Sequence, residues 1–95
     1  MRVTVLLPGV LRDKADDQAK LELEVAEPAT LGGMLDVLAE RYPALERRLR
    51  DERATLRRYV NFYVDGEECR FSGGADTVLR AAAEVQIIPS VAGGQ

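Results

Sequence analysis

The 95-residue chain has 13 Lys and Arg residues against 16 Asp and Glu residues, which gives a net charge of −3 at neutral pH, and it has no histidine. This charge offers no overall attraction to nucleic acid or to an anionic membrane, so we expect neither as a partner. The lack of histidine excludes the common catalytic triads and histidine-ligated metals. Cys69 is the single cysteine, so an intramolecular disulfide is excluded. This cysteine usage is consistent with the cytoplasmic location that we expect.

Two strands are predicted in the first quarter of the chain. Residues 2–7 are rich in Val, Leu and Thr and predict a strand that Pro8 and Gly9 end. Residues 21–25 alternate between apolar and acidic side chains, which predicts a second strand with one face in water. Together they predict a hairpin over residues 1–25.

An amphipathic helix is predicted next. Apolar side chains at spacings of three and four residues are Leu31, Met34, Leu35, Leu38 and Tyr42. Thr30 stands directly before this run and is predicted to cap the helix through its hydroxyl group. Pro43 is predicted to end or interrupt the helix.

The segment from residue 45 to residue 58 is strongly charged, with six arginines and three carboxylates. This pattern is typical of a solvated helix or loop whose surface ion pairs contribute little. A docking patch for a partner is the alternative interpretation, and the sequence leaves both open.

The last third of the chain is predicted to be mainly strand. Residues 59–64 are rich in β-forming side chains and precede Asp65-Gly66, a strong signal for a type I′ hairpin turn. Residues 68–71 would return antiparallel, with Cys69 as a small core residue. Residues 78–83 are predicted to be a connecting turn with local helix at 81–83, and residues 85–89 form the last strand.

These elements predict an α+β domain over residues 1–89 and a flexible C-terminal tail over residues 90–95. The first and last strands are the most continuously apolar, so we place them together in the centre of the sheet. They must run parallel, because the helix-containing connection lies between them. The expected fold is a β-grasp (ubiquitin-like) fold, a mixed sheet of about four to five strands packed on one main helix.

The tail contains the most informative motif, Ile87-Ile88-Pro89-Ser90-Val91-Ala92-Gly93-Gly94-Gln95. Its two glycines lack Cβ, so the backbone can lie extended in a narrow channel and bring a carboxylate to a nucleotide phosphate. The C-terminus is therefore the candidate reactive group, and we assign no catalytic residue to the domain itself. A frayed end is the ordinary alternative for small residues at a terminus.

Three segments together resemble the ThiS/MoaD family of ubiquitin-like sulfur carriers, in particular the carriers of cysteine biosynthesis. They are V-N-F-Y-V-D-G at residues 60–66, R-F-S-G-G at residues 70–74, and I-I-P-S-V-A-G-G at residues 87–94. The resemblance covers nearly the whole chain, and its specific part is the P-x-V-A-G-G ending directly after the last strand.

The resemblance implies that chemistry is done on this protein rather than by it. An E1-like enzyme would use ATP and magnesium to adenylate the carboxylate of Gly94, and a sulfur donor would then convert it to a thiocarboxylate. Gly93 and Gly94 would form the reactive C-terminus, and no cofactor or metal would be bound permanently. The sulfur would pass to an accepting biosynthetic enzyme that makes cysteine or another sulfur-containing metabolite.

One departure from the family pattern affects the reactive end. Gln95 follows Gly94, so the Gly94 carboxyl group is held in a peptide bond. We interpret Gln95 as a removable extension of a proform, cleaved by a zinc metalloprotease as in some relatives. A residue added to the natural sequence would be an equally simple origin.

A partner is expected to dock near the tail. The apolar residues that we expect to contribute to this docking surface are Phe62, Phe71, Ile87, Val91 and Ala92. The alternative is that Phe62, Phe71 and Ile87 are simply core residues.

Three other functions remain open at this point. The chain could be a ubiquitin-like modifier joined to lysines through Gly94, the small subunit of a molybdopterin synthase, or a plain β-grasp interaction module. A thiocarboxylate product indicates a carrier, an isopeptide product indicates a modifier, and co-purification with a large subunit indicates the synthase. An interaction module would remain functional after the tail is deleted.

Overall fold

The computed structural model describes residues 1–90. Its strands are β1 (Arg2–Leu6), β2 (Lys20–Glu24), β3 (Ala29–Thr30), β4 (Val60–Val64), β5 (Glu67–Glu68), β6 (Val78–Leu79) and β7 (Glu84–Pro89). The main sheet has the strand order β2-β1-β7-β4-β5. A second sheet pairs β3 with β6.

The first and last strands lie side by side, as the sequence predicts. β1 pairs parallel with β7, with Val5 opposite Val85, and both side chains are fully buried. β7 also pairs antiparallel with β4, so it lies in the middle of the five strands. The mixed sheet and its helices form an α+β, β-grasp fold.

Helix α1 (Leu31–Arg41) begins and ends where the sequence signals place it. The N–H of Gly33 donates to Oγ1 of Thr30 at 3.1 Å, which confirms the predicted cap. Pro43 occupies the first turn of the next helix, α2 (Pro43–Leu49), where its missing N–H removes no helical hydrogen bond. Neither helix is long and apolar enough to cross a membrane.

The core lies between α1, α2 and one face of the main sheet. The largest fully buried side chains are Phe62, Leu21, Leu23, Leu31, Met34, Leu35, Leu38, Leu45, Leu49, Ile87, Val3 and Val5. The strand residues among them alternate with exposed positions, as in β2, where only Leu21 and Leu23 are buried. One face of the main sheet is therefore left outside the core.

The turn after β4 forms as predicted, but the strand after it is shorter. Asp65 and Gly66 both have positive φ, as a type I′ turn requires. β5 ends at Glu68, and residues Cys69–Phe71 form a 3₁₀ turn instead of the predicted strand. The Glu68 carboxylate accepts a hydrogen bond from the N–H of Arg70 at 3.2 Å. This hydrogen bond stabilises the turn instead of continued strand pairing with β4.

The interpretation of residues 78–83 as only a turn with local helix is wrong. Val78–Leu79 forms β6 opposite Ala29–Thr30, a strand too short to give a periodic signal. Residues 81–82 are a turn in which Ala82 has a φ of 65°, so no helix forms there. The Ala82 N–H donates to the Arg2 carbonyl at 3.0 Å, which ties this turn to β1.

The arginine-rich segment is part helix and part loop, and one of its arginines is buried. Arg50 is only 7% exposed and donates to Glu46 at 2.6 Å and to Asp36 at 2.9 Å. Burial lowers the pKa of Arg50, but the hydrogen bonds to Glu46 and Asp36 outweigh it and raise the pKa, so the guanidinium stays charged. The ion pair between Arg50 and Asp36 links the C-terminal end of α2 to α1.

The two phenylalanines provide a matched test of this packing. Phe62 is 1% exposed and Phe71 is 82% exposed. Replacing Phe62 with Ala should lower the free energy of unfolding by about 3–5 kcal/mol, because it removes buried apolar contacts and leaves a cavity. Replacing Phe71 with Ala should change it by about 0.5 kcal/mol or less. Urea unfolding of the two variants and the parent chain measures both values, and equal losses would contradict the assigned burial.

Candidate functional site

The predicted reactive end lies outside the described residues. Gly93, Gly94 and Gln95, together with the expected contact residues Val91 and Ala92, follow the last residue that the structure describes. The structure does describe the point at which this tail leaves the domain.

The main sheet holds the chain up to the start of the tail. Pro89 lies opposite Val60 in the pairing of β7 with β4, and the N–H of Ser90 donates to the Tyr59 carbonyl. Gly94 is four residues beyond Ser90, so it can lie at most about 14 Å from that anchored residue. Any chemistry at Gly94 therefore takes place close to the surface around Ser90.

A cavity of about 280 Å³ surrounds this exit point, and we call it the tail-exit cavity. Its lining residues are Val10, Leu11, Arg48, Tyr59, Val60, Pro89 and Ser90. Val10 is 74% exposed and Tyr59 is 54% exposed, so two large apolar side chains face solvent there. The cavity brings together the 3₁₀ segment Gly9–Ala15, helix α2 and the ends of β4 and β7.

The open face of the main sheet offers a second apolar surface beside the exit. Ile87 points into the core, so its neighbour Ile88 points outward, and it is 39% exposed. A groove of about 360 Å³ next to Ile88 is lined by Leu6 and Pro8, with Arg12 and Lys20 as its cationic members. This groove can receive an apolar side chain of a partner that carries acidic groups.

The structure changes the predicted docking surface. Phe62 and Ile87 lie opposite each other on neighbouring strands and are each 1% exposed, because both point into the core. Neither residue is exposed in the folded domain, so the expectation that they form an exposed docking patch is wrong, although Ile87 does line the groove beside Ile88. Phe71 is exposed, but it lines neither the tail-exit cavity nor the groove beside Ile88. Its docking role stays a prediction.

Sequence reasoning missed the exposed residues that lie near Ser90. Ile88 could have been found from strand alternation, because an inward Ile87 requires an outward Ile88. Val10 and Tyr59 gave no such signal, since their approach to Ser90 depends on the pairing of distant segments. Arg48 was recognised only as one member of an arginine-rich segment.

Cys69 has none of the properties of a nucleophile. It is 1% exposed, and burial, followed by the nearby Glu68 carboxylate, raises the pKa of its thiol. The thiol therefore stays protonated and inaccessible near neutral pH. The prediction that Cys69 is a structural core residue is confirmed.

The carboxylates of the described residues do not form a metal centre. No group of three or more acidic or cysteine side chains within residues 1–90 is placed to hold a metal ion. Asp16 and Asp17 both have positive φ at the end of the first 3₁₀ segment, which accounts for them as turn residues.

Comparison with known proteins places the chain among small carriers and modifiers. The sequence profile of the ThiS family matches residues 5–94. The sulfur carrier protein CysO of Mycobacterium tuberculosis is 38% identical over 96 residues, which cover 99% of this chain and 100% of the relative. The molybdopterin synthase sulfur carrier subunit of the same organism is 34% identical, with 99% of both chains covered.

Solved structures show the same fold. The crystal structure of the Amycolatopsis orientalis BexX/CysO complex contains a chain that is 31% identical, with a TM-score of 0.82 and coverage of 94% of this chain and 96% of that chain. SAMP1 of Haloferax volcanii is 26% identical, with a TM-score of 0.83 and coverage of 99% of this chain and 100% of that chain.

The buried thiol gives a pH prediction. Alkylation of Cys69 by iodoacetamide should be much slower in the folded protein than in denaturant, both at about pH 8 and at about pH 9, which lie on either side of the ordinary thiol pKa. Because folding raises the pKa of Cys69, its contribution to stability is present below the ordinary pKa and is lost as the pH rises through the raised value. Intact mass against time measures the rate, and equal rates with and without denaturant would contradict the burial of Cys69.

Proposed function

Because the chain belongs to the ThiS family, we propose that it is a sulfur carrier protein whose Gly94 carboxylate becomes a thiocarboxylate. The observation that carries this proposal is the extent of the family match, which runs from residue 5 to residue 94 and so includes both tail glycines. Two relatives matched over nearly their whole length are themselves named sulfur carriers. The chain is then a protein substrate, and the catalysts are its partner enzymes.

The first step is activation by an E1-like enzyme that binds ATP and magnesium. A carboxylate oxygen of Gly94 attacks the α-phosphorus of ATP, the bond to the β-phosphate oxygen breaks, and pyrophosphate leaves. The product is an acyl adenylate, in which the carbonyl carbon carries a good leaving group. The activating enzyme supplies the ATP site, since we assign no catalytic residue to this domain.

The second step introduces sulfur. Hydrogen sulfide, supplied as its anion, attacks the Gly94 carbonyl carbon, the bond from carbon to the AMP oxygen breaks, and AMP leaves. Loss of the sulfur-bound proton gives the thiocarboxylate. A persulfide can serve in place of sulfide when a thiol reductant then cleaves its sulfur–sulfur bond.

The sequence of the tail fits both steps. A β-carbon at residue 93 or 94 would narrow the approach of the sulfur nucleophile to the carbonyl and would widen the chain in an enzyme channel. The hydrogen bond from Ser90 to Tyr59 holds the base of the tail against the domain, so the reactive atom stays within a short reach of the docking surface.

Gln95 must be removed before the first step. Its peptide bond with Gly94 leaves no free carboxylate at the reactive atom, and hydrolysis of that one bond creates it. We propose that a zinc metalloprotease performs this hydrolysis, with its metal ion held by the protease.

The accepting partner is a biosynthetic enzyme that takes sulfur from the thiocarboxylate. The similarity to CysO supports an acceptor in cysteine formation. The BexX/CysO complex, in which a chain 31% identical to this one is bound to another protein, supports direct binding of the carrier to its accepting enzyme.

Two alternatives have specific observations in their favour. The likeness to SAMP1, a small archaeal modifier protein, favours conjugation of Gly94 to lysines. The match to a molybdopterin synthase sulfur carrier subunit favours a tail that works in a large-subunit active site. Both use the same activated glycine, so the product made from the adenylate separates them from the proposed carrier.

Intact mass tests the proposal directly. Chains ending at Gly94 and at Gln95 are incubated with the E1-like enzyme of the same genome, magnesium, ATP and sulfide. Only the chain ending at Gly94 should gain the mass difference of an oxygen-to-sulfur exchange, because only it has a free carboxylate at the reactive atom.

Matched glycine variants provide the control. Gly94→Ala in the shorter chain should reduce the rate of exchange by about tenfold or more if close approach to the carbonyl matters. Gly33→Ala should leave the rate unchanged, since Gly33 lines neither the tail-exit cavity nor the groove beside Ile88, and an added β-carbon there meets only Oγ1 of Thr30, at 3.4 Å. The activity of the enzyme is checked first, by the pyrophosphate that it releases from ATP in the presence of another carrier. If the parent chain then shows no oxygen-to-sulfur exchange, the proposed function is contradicted.

A further inference from the structure

The tail-exit cavity combines apolar exposure with a positive charge that has no ion-pair partner within residues 1–90. Two of the five large hydrophobic residues exposed within residues 1–90 are Val10 and Tyr59, and both line this cavity. Arg48 lines it as well and is exposed on helix α2. No ion pair among the described residues includes Arg48. The cavity therefore presents an apolar wall beside a guanidinium group that has free donors.

The surrounding segment gives this guanidinium a positive neighbourhood. Residues 46–58 contain six arginines and three carboxylates, a net charge of +3 in a chain whose overall charge is −3. Two of those carboxylates are already engaged. Glu46 pairs with the buried Arg50, and the Asp51 carboxylate accepts the N–H groups of Thr55 and Arg53, which lower its pKa. The segment that carries Arg48 therefore has a net positive charge.

Covalent geometry limits how far from the cavity a partner that binds Gly94 can lie. Gly94 lies four residues beyond Ser90, a distance of at most about 14 Å along an extended chain. An enzyme that holds Gly94 in its own active site must therefore come within about 14 Å of Ser90, which brings its surface close to the cavity. The residues around that point include Val10, Arg48 and Tyr59.

We propose that the tail-exit cavity and Arg48 form a docking site for the enzyme that adenylates Gly94. That enzyme presents an apolar side chain to Val10 and Tyr59 and a carboxylate to the guanidinium of Arg48. This inference rests on the proposed function and adds to it the surface and the chemistry by which the partner is recognised.

The charge of the site argues against a second copy of this chain as its occupant. A two-fold contact through the cavity would bring Arg48 towards the same residue of the other copy, and like charges at close range oppose association. A partner surface with carboxylates has the opposite effect, because it increases the association rate and fixes the orientation of docking.

A charge-reversal pair tests the site. Arg48→Glu and Arg80→Glu change the net charge equally, and both residues are exposed. Arg80 precedes the start of β7, whereas the cavity lies at the end of that six-residue strand, so Arg80→Glu is the matched control. Pyrophosphate release is measured with the E1-like enzyme at saturating ATP, using chains that end at Gly94.

Arg48→Glu should raise the KM for the carrier by about tenfold or more while kcat stays within about twofold, because a charge-assisted contact is replaced by repulsion. Arg80→Glu should change KM by no more than about twofold. Val10→Ser, a change at an exposed position, should raise KM without lowering the melting temperature. Added salt should raise the KM of the parent chain more steeply than that of Arg48→Glu.

Three results would overturn the inference. Equal KM values for Arg48→Glu and Arg80→Glu, with a parent chain that is adenylated normally, would remove the docking site but leave the proposed function intact. Dimerisation of the parent chain in sedimentation experiments that Arg48→Glu abolishes would assign the surface to a second copy instead. If the enzyme releases no pyrophosphate from ATP in the presence of the parent chain, both the proposed function and this docking site are contradicted.

Discussion

The parallel pairing of β1 with β7 is the constraint on which the rest of the structure depends. It joins the two ends of the domain through a register that sets Val5 opposite Val85. The parallel direction requires a long connection between the two strands, and that connection supplies α1, which covers the sheet. The same pairing leaves β7 in the centre of the sheet, where β4 holds it from the other side up to Pro89. The tail therefore begins at the end of the central strand, which pairs with a neighbouring strand on each side.

This arrangement separates stability from reactivity. The buried side chains, including Phe62, Ile87 and Cys69, stabilise the domain and take no part in chemistry. The proposed reactive atom lies beyond the domain, and the surface next to it is set by residues that are distant in sequence, such as Val10 and Arg48. A protein that is a substrate of larger enzymes needs this combination of a stable body, a recognisable surface and an accessible end.

Much of the fold could be predicted from the sequence because its signals are local. The cap at Thr30 and the turn at Asp65-Gly66 depend on neighbouring residues and form as expected. The strand β6 is only two residues long and depends on pairing with β3, so no period could indicate it. The exposed residues near Ser90 were predicted less well, since composition favours aromatic anchors but only strand alternation decides that Ile88 rather than Ile87 faces outward. The tail motif could be recognised because two adjacent glycines follow the last strand after only a few residues.

The most direct test of the carrier account is the C-terminal peptide of the protein isolated from its own host. The cells are lysed under conditions that preserve thiocarboxylates, and the peptide is analysed by fragment mass spectrometry. The account predicts a chain that ends at Gly94, with sulfur in place of one oxygen of the Gly94 carboxyl group. A chain that retains Gln95 in every molecule, or a Gly94 found only in isopeptide bonds to lysines of other proteins, would contradict it.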